Sequence, residues 1–495
     1  MPAHASAAVV APPDPRRWVA LVVLLIANFM NLIDVTIVNV ALPSMQTGLA
    51  ATDTQIEWVV AVYILVFALG LLPFGRLGDI LGRTKLFLWG VAGFTAASAL
   101  CGLAPNIEFL IFARAVQGLA GAMMTPQVLA IATVTFPPHE RGQAFSLFGL
   151  SAGLASVCGP ILGGLLIDAQ LFGLDWQPIF LVNVPVGIVT VIAGLYLIPR
   201  LEGHPALRND YVGIALFGLS IVAVVFPIVE GRAYGWPLWT FAMIAVGLVG
   251  LVAFFLWQRA RAARNEPQLL NYDLLTNKDF MFGAFVVTIF ASGIPGMFMV
   301  ISLLLQGGFG FSPLESGLTN TPFSVGVLVA SFIAGRLGSR YLRGRLAAAG
   351  TLLVLGIGSL HFIIAGVGDT IDHWSFLPSL LIAGIGLGLG FSSLFQLVLA
   401  NVPPRDAGAG SGSLQAFQQV GGALGVALVG ELFFTTLGRG MATGSPPHAA
   451  FANAAAFALW YQIAAFALVL ILAFFFKAPK RPMGFAPPQH VAVEA

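Results

Sequence analysis

The sequence predicts an all-α polytopic membrane protein with fourteen transmembrane helices and both termini in the cytoplasm. Three observations lead there: the composition, the length of the apolar runs and the placement of positive charge. The chain has 495 residues, 58% hydrophobic and only 9% charged, with a mean hydropathy of +0.92. Soluble domains carry roughly 25% charged residues, and a chain this long with so few cannot cover its surface in water. That disfavours a soluble enzyme, a disordered chain and a disulfide-stapled secreted scaffold. The apolar runs are ~20 residues long, enough to cross ~30 Å of hydrocarbon as a helix, whereas barrel strands alternate over ~10.

Taken in order, the runs are Trp18–Ala41, Glu57–Phe74, Leu86–Leu103, Glu108–Thr133, Gln143–Ile167, Gln177–Ile198, Tyr211–Val229 and Leu238–Trp257. Six more follow at Phe280–Gln306, Leu314–Ala334, Leu346–Val367, Ser375–Ala400, Gly410–Leu437 and Ala454–Phe476. With a cytoplasmic N-terminus, all of the 23 Lys and Arg except three fall in inside segments. The exceptions are Arg232 and Arg439 outside and Arg114 within the fourth span. One helix more or fewer would break this alternation, so the positive-inside rule supports fourteen.

The remaining bulk features narrow the chemistry. A net charge of +2 does not suggest nucleic acid. Cys101 and Cys158 lie inside apolar runs and read as small buried hydrophobes rather than a disulfide or metal pair. The segment before Trp18 lacks the basic start, apolar core and cleavage site of a signal peptide, so the first run reads as a retained span. The sequence contains no phosphate-loop motif and no Cys/His cluster, and therefore predicts neither a nucleotide nor a metal cofactor.

An internal repeat organises the spans. Gly75-Arg76-Leu77-Gly78 recurs as Gly335-Arg336-Leu337-Gly338, each at the cytoplasmic end of the second span of a six-span set. Arg141 and Arg405 each open a fifth span at nearly the same offset. The predicted layout is a cytoplasmic N-terminus (1–17), a six-helix half (18–199), an inserted helix pair with flanking loops (200–279), a second six-helix half (280–476) and a cytoplasmic tail (477–495). Repeated halves suit a transporter in which one half rocks against the other around a central site.

Four strings carry a resemblance to a known family. They are LIDVTIVNVALP from Leu32 to Pro43, GRLGDILGRTK from Gly75 to Lys85, RAVQG from Arg114 to Gly118, and GPILGG from Gly159 to Gly164. They resemble, in turn, the helix-1 signature, the loop 2–3 motif, the helix-4 motif and the helix-5 antiporter motif of the major facilitator superfamily, in its fourteen-helix drug:proton antiporter branch. The resemblance implies the major facilitator fold in a 6+2+6 arrangement. In the second copy of the loop motif, Ser339 stands where Asp79 stands in the first.

The residues themselves point to candidate roles. Asp34 is a carboxylate ~24 Å along the first span at about 1.5 Å per residue, in its outer half. A charge there costs roughly 2.5–3.5 kcal/mol on insertion scales, so it either sits in a static ion pair or titrates. Asn28 and Asn31 precede it at three-residue steps, giving a polar stripe expected to face the bundle interior. Arg114, ~9 Å from the outer end of span 4, lies at similar depth and is the predicted partner. The resemblance gives it a part in proton coupling. Glu431 lies within span 13, in the outer leaflet zone, where the resemblance implies proton coupling and the residue alone reads equally as a boundary carboxylate reaching water. Gln415, Gln418 and Gln419 on the same span, with Asn28, Asn31 and Glu230, are the candidates for the substrate cavity.

Two candidate gates follow. Gly75, Gly78 and Gly82 permit a tight crossing, and Asp79 and Arg83 can pair at four-residue spacing. The resemblance implies that Asp79 also docks on the N-terminus of helix 13 and shuts the cytoplasmic side. Gly159 and Pro160 mark a close-packed, bendable stretch of span 5, which the family reading seals against helix 10.

Together these predict a plasma-membrane exporter that is not an enzyme. Its expected cargo is a small lipophilic compound, cationic in view of the acidic residues, exchanged for protons by alternating access, as in antibiotic and multidrug efflux. The expected cycle starts outward-open with Asp34 and Glu431 near an outer aqueous cavity. Its partners are substrate, protons and the lipid bilayer, with no nucleic acid and no cofactor beyond the proton gradient. A monomer is compatible with the sequence. The alternative is an exporter or flippase of lipids or lipid-linked molecules on the same fold.

Overall fold

The computed structural model describes residues 15–204, 208–337, 340–400, 402 and 407–477. Ser339, Arg405 and most of both tails lie outside these residues.

Among the described residues fourteen helices run in the predicted order, thirteen of them long and apolar enough to cross a membrane and the other, the fifth, with a shorter apolar stretch at Gly153–Asp168. In the first half these are α1 (Arg17–Gly48), α2 (Asp53–Leu81), α3 (Arg83–Gly102), α4 (Ile107–Thr135), α5 (Pro138–Asp168) and α6 (Pro178–Leu197). The inserted pair is α7 (Tyr211–Glu230) and α8 (Leu238–Ala263). The second half holds α9 (Lys278–Gly308), α10 (Pro313–Ala334, continuing as helix to Leu337), α11 (Leu342–Ala365), α12 (Trp374–Leu399), α13 (Ala407–Ala442) and α14 (Pro447–Ala473).

The helix ends are set by polar chemistry that hydropathy does not register. α1 runs two turns past its apolar stretch, through Pro43 to Gly48, so Asp34 lies near its middle rather than in its outer half. α2 begins at a capping box in which Thr52 accepts from the Gln55 amide and Gln55 reaches back to the Thr52 amide. That start puts Glu57 a full turn inside the helix instead of at its tip. α9 and α10 are interrupted. α9 breaks at Gly293-Ile294 and ends in a π turn over Leu304–Gly308, while α10 breaks at Asn320. Irregular backbone inside a membrane survives only where protein or a cavity surrounds it.

The packing repeats with an offset of eight helices. α2 packs on α4 as α10 does on α12, α1 on α5 as α9 on α13, and α3 on α6 as α11 on α14. Two seams join the halves, α2 against α13 and α5 against α10. The inserted pair leans on the first of these seams through α7, while α8 packs on α7 and shows most of its surface to lipid. One buried carboxylate holds the pair together. Asp210 caps α7 at the Gly213 amide (2.9 Å) and accepts from Trp257 Nε1 (2.9 Å) and Gln258 Nε2 (2.8 Å) on α8.

Asp210→Ala leaves three buried or half-buried donors without an acceptor. It is expected to cost about 1–3 kcal/mol, read as a lower melting temperature in detergent, with Asp210→Asn recovering part of the loss. An unchanged melting temperature would contradict this role.

Candidate functional site

The pair predicted from sequence forms, in surroundings the sequence did not reveal. Asp34 on α1 is 0% exposed and Arg114 on α4 is 2% exposed, with Nη1 and Oδ2 2.5 Å apart. Burying two charges is unfavourable unless every lone pair and proton is met, and here nearly all are. Asp34 Oδ1 accepts from Gln117 Nε2 (2.7 Å) and Asn183 Nδ2 (3.3 Å). Arg114 donates to Gln117 Oε1 (2.7 Å) and to the Val59 carbonyl on α2 (3.1 Å). Its guanidinium lies 4.1 Å from the centre of the Tyr63 ring, within cation–π range. Asn31 donates to the Tyr63 hydroxyl (2.9 Å), and Gln117 to Ser98 on α3 (2.9 Å). The network therefore ties α1, α2, α3, α4 and α6 inside the first half. Asp34 faces no outer aqueous cavity, contrary to expectation, because the other helices of its own half enclose it.

A second cluster closes the outer end of the α2–α13 seam. Glu57 on α2 is buried, and Gly430 of α13 comes so close that a Cβ there would stand 2.5 Å from the Glu57 carboxyl carbon. The bridging group is Arg232, in the turn between α7 and α8. It lies 3.7 Å from Glu57 Oε2 and donates to Thr54 Oγ1 (3.1 Å) and to the Gly430 carbonyl (3.2 Å). Glu431 accepts from Trp236 Nε1 (3.2 Å) and Thr435 Oγ1 (2.8 Å), and Glu230 from Trp58 Nε1 (2.7 Å). Glu431 and Glu230 thus belong to an outer lock, and Glu230 lines neither of the two cavities described below. Sequence reading missed Glu57 and the part played by Arg232. The one available signal was that Arg232 is one of only two cations on the outer face.

The α5–α10 seam is also shut on the outside. Gly164 backs onto Leu314 and Gly317 onto the Pro160 carbonyl, while Gln306 on α9 donates to the Val40 carbonyl of α1 (2.8 Å). Gly159 packs on Thr36 of α1 rather than on α10.

Toward the cytoplasm the halves part. A polar cavity of about 860 Å³ is lined by Gly75, Asp79 and Arg83 on one side and by Ser411, Ser413 and Gln415 of α13 on the other. Asp79 pairs with Arg83 (2.8 Å) and faces Ser411 and Ser413 of α13 across the cavity. Residues 403–406, just before α13, lie outside the described residues, so the expected contact of Asp79 with that helix N-terminus does too. Gly82, at φ +101°, turns the chain between α2 and α3 in a conformation that side chains avoid. Gly78 lets the Gln127 side chain of α4 against α2.

A larger, apolar cavity of about 1030 Å³ lies on the other side, between α1, α5, α9, α10 and α12. It runs from Asn39 and Asn320 near the sealed outer end to Arg336 and Gln396 at the cytoplasmic end. Of the residues predicted to line a substrate cavity, Gln415 lines the polar one. Asn28, Asn31, Gln418 and Gln419 line neither, and Asn31 instead donates to Tyr63. Asp34 and Glu431, the carboxylates behind the expectation of a cationic cargo, line neither as well.

A sequence profile described as Major Facilitator Superfamily matches residues 24–211 and 204–426. The chain is 40% identical over 430 residues to the probable actinorhodin transporter of Streptomyces coelicolor, covering 86% of this chain and 74% of the relative. It is 30% identical to the tetracenomycin C resistance and export protein of Streptomyces glaucescens, covering 86% and 77%. In fold it is similar to a bacterial homolog of the human lysosomal transporter Spinster, inward-facing and unoccupied (TM-score 0.64, 17% identity, covering 94% of this chain and 98% of that one).

Arg232→Ala is expected to loosen the outer lock. A cysteine at Ile64, which faces Gly422 of α13 across the seam, placed in a background lacking Cys101 and Cys158, should react several-fold faster with a membrane-impermeant thiol reagent from outside. No change in that rate would remove Arg232 from the lock.

Proposed function

Since the chain belongs to the major facilitator superfamily and is a multi-pass membrane transporter rather than an enzyme, we propose that it exports lipophilic small molecules across the plasma membrane in exchange for protons. Relatives whose names record antibiotic transport, resistance and export support the direction of transport. The observation that carries proton coupling is the buried Asp34–Arg114 pair. A proton on Asp34 removes the charge that holds Arg114, and Arg114 also grips Val59 and Tyr63 on α2. Val59 is two residues from Glu57, the α2 member of the outer lock. Protonation thus acts on the helix that seals the outer seam, which makes α2 the element that both sites bias. Glu57, Glu230 and Glu431 are the acceptors for protons arriving from outside once the lock opens. The proton gradient is the sole driving force in this reading, with no cofactor. No described carboxylate lines the apolar cavity, so a cationic cargo would meet counter-charges only in the polar one, at Asp79, Asp210 and Asp273.

Removing one partner of a buried pair strands the other and costs about 3–5 kcal/mol. Asp34→Asn should abolish efflux driven by a pH gradient in proteoliposomes. The comparison with Arg114→Ala and the double variant is decisive, because partners acting as one unit give non-additive losses. Full efflux by Asp34→Asn over a range of pH, or additive losses in the double variant, would refute the coupling role.

A further inference from the structure

The two oxygens of the Asp34 carboxylate are held differently. An ionised carboxylate offers about four lone-pair positions. Oδ1 uses both of its own on amide donors, Gln117 Nε2 at 2.7 Å and Asn183 Nδ2 at 3.3 Å. Oδ2 uses one on Arg114 Nη1 and has no second donor among the described residues. The open position on Asp34 is therefore on the oxygen that holds the arginine.

Both amides are themselves fixed. Gln117 lies one turn after Arg114 on α4, so the two side chains share a face. Its amide nitrogen also donates to Ser98 Oγ (2.9 Å), and its oxygen accepts from Arg114 Nη1 (2.7 Å). Those partners settle which end of the amide is nitrogen. Asn183 opens the longer piece of α6, after the break at Val182, and is buried. A proton reaches a lone pair of Oδ1 only if one of these amides gives up its bond. The titratable groups that face Asp34 are Arg114 on α4, Tyr63 on α2 and Cys101 on α3. Neither of the last two is bonded to it: Tyr63 accepts from Asn31, and the Cys101 sulfur lies 3.6 Å from Gln117 Oε1.

We propose that Gln117 and Asn183 are positioning residues that direct the coupling proton to Oδ2 of Asp34. They hold Oδ1 as the carbonyl oxygen of the acid. The proton comes from the aqueous phase and forms an O–H bond with the open lone pair of Oδ2. No covalent bond of the protein breaks, and the carboxylate passes from negative to neutral. Oδ2 then becomes a hydroxyl oxygen, a poorer acceptor than the charged oxygen it replaces. Arg114 stays charged and is left with Gln117 Oε1, the Val59 carbonyl and the Tyr63 ring, the last two on α2. Proton binding and the transfer of its hold from α1 to α2 are one event. A proton on Oδ1 would instead leave Oδ2 a carbonyl, still able to hold Arg114. This rests on the proton-exchange reading of Asp34.

Infrared difference spectra of the full-length protein in lipid nanodiscs, acidified from neutral pH, test this without any substrate. A protonated carboxyl shows a C=O stretch, and each hydrogen bond accepted by that carbonyl oxygen lowers its frequency. The Asp34 band is identified by its loss when Asp34→Asn is added to the same background. With the proton on Oδ2 the carbonyl is Oδ1, so Asn183→Leu or Gln117→Leu, each removing one donor to it, should shift the band to higher frequency. The two together should shift it further. Ser98→Ala takes a buried hydrogen bond from the same network without touching Oδ1, and should leave the band in place. Either leucine variant is enough on its own if the other does not fold. An Asp34 band that stays put in both leucine variants, or moves as far in Ser98→Ala, would overturn the proposal and leave proton binding by Asp34 standing. No Asp34 band at any pH the protein survives would overturn the proton-exchange reading and this proposal with it.

Discussion

The cost of holding Asp34 and Arg114 out of water governs the first half of the molecule. An ion pair with poor surroundings is a net liability in a low-dielectric interior, so the neighbouring helices are recruited to satisfy it. Gln117, Asn183, Tyr63 and the Val59 carbonyl come from three helices and converge on one carboxylate and one guanidinium, and Ser98 of a fourth holds Gln117 in place. A half organised in this way moves as a body, because displacing any one helix leaves a charge or an amide unmet. Rocking of one half against the other requires that stiffness. The same economy explains why Arg114 reaches α2, the helix on the seam, rather than only the carboxylate beside it.

The two seams are closed by different means. Along α5 and α10, small residues bring backbone against backbone, as at Gly164 with Leu314 and Gly317 with Pro160, and helices that approach so closely are held by packing. Along α2 and α13 the outer end is polar. Gly430 makes room for the Glu57 carboxylate, and Arg232 spans Glu57, Thr54 and the Gly430 carbonyl. Arg232 belongs to the inserted pair, which also touches the bundle through α7 and through Trp236, the donor to Glu431. The two additional helices therefore act as an outer strap across the seam, with Asp210 as the rivet at their cytoplasmic end.

Much of this was legible in the sequence. Apolar length and positive charge located all fourteen helices, and the cost of an intramembrane charge singled out Asp34 and Arg114 and paired them. The failures share a cause, which is that hydropathy reports where a helix is apolar and not where it ends or which way it faces. The capping box at Thr52 moved the start of α2 and turned Glu57 from a boundary residue into a buried one. The extension of α1 to Gly48 moved Asp34 toward mid-helix. Polar side chains on α1 and α13 were read as cavity-lining because they are polar, yet Asn31 serves Tyr63, and the residues of α1 that do line the apolar cavity are Thr36, Asn39 and Val40. Asp79 behaved locally as its spacing required, pairing with Arg83. Its expected contact with the start of α13 falls outside the described residues.

The charges and the apolar cavity lie apart, and that separation constrains any mechanism. Asp34 is enclosed within its own half, and Glu57, Glu230 and Glu431 stand at the outer end of the α2–α13 seam. The large apolar cavity lies along the other seam, against α5, α10 and α12. A compound in that cavity touches none of these carboxylates, so it cannot compete with a proton for a shared site. Coupling between the two has to pass through helix position. A ligand shifts an equilibrium only by its differential affinity for the two states. The cavity supplies that difference because its walls come from both halves, α1 and α5 on one side and α9, α10 and α12 on the other, and change spacing as the halves move. In the proposed exchange, a proton would supply its own difference through α2, by loosening or restoring the grip of Arg114. Both biases would then act on one motion, the rocking of the halves about their two seams, and cargo and protons would be coupled through it without contact between them.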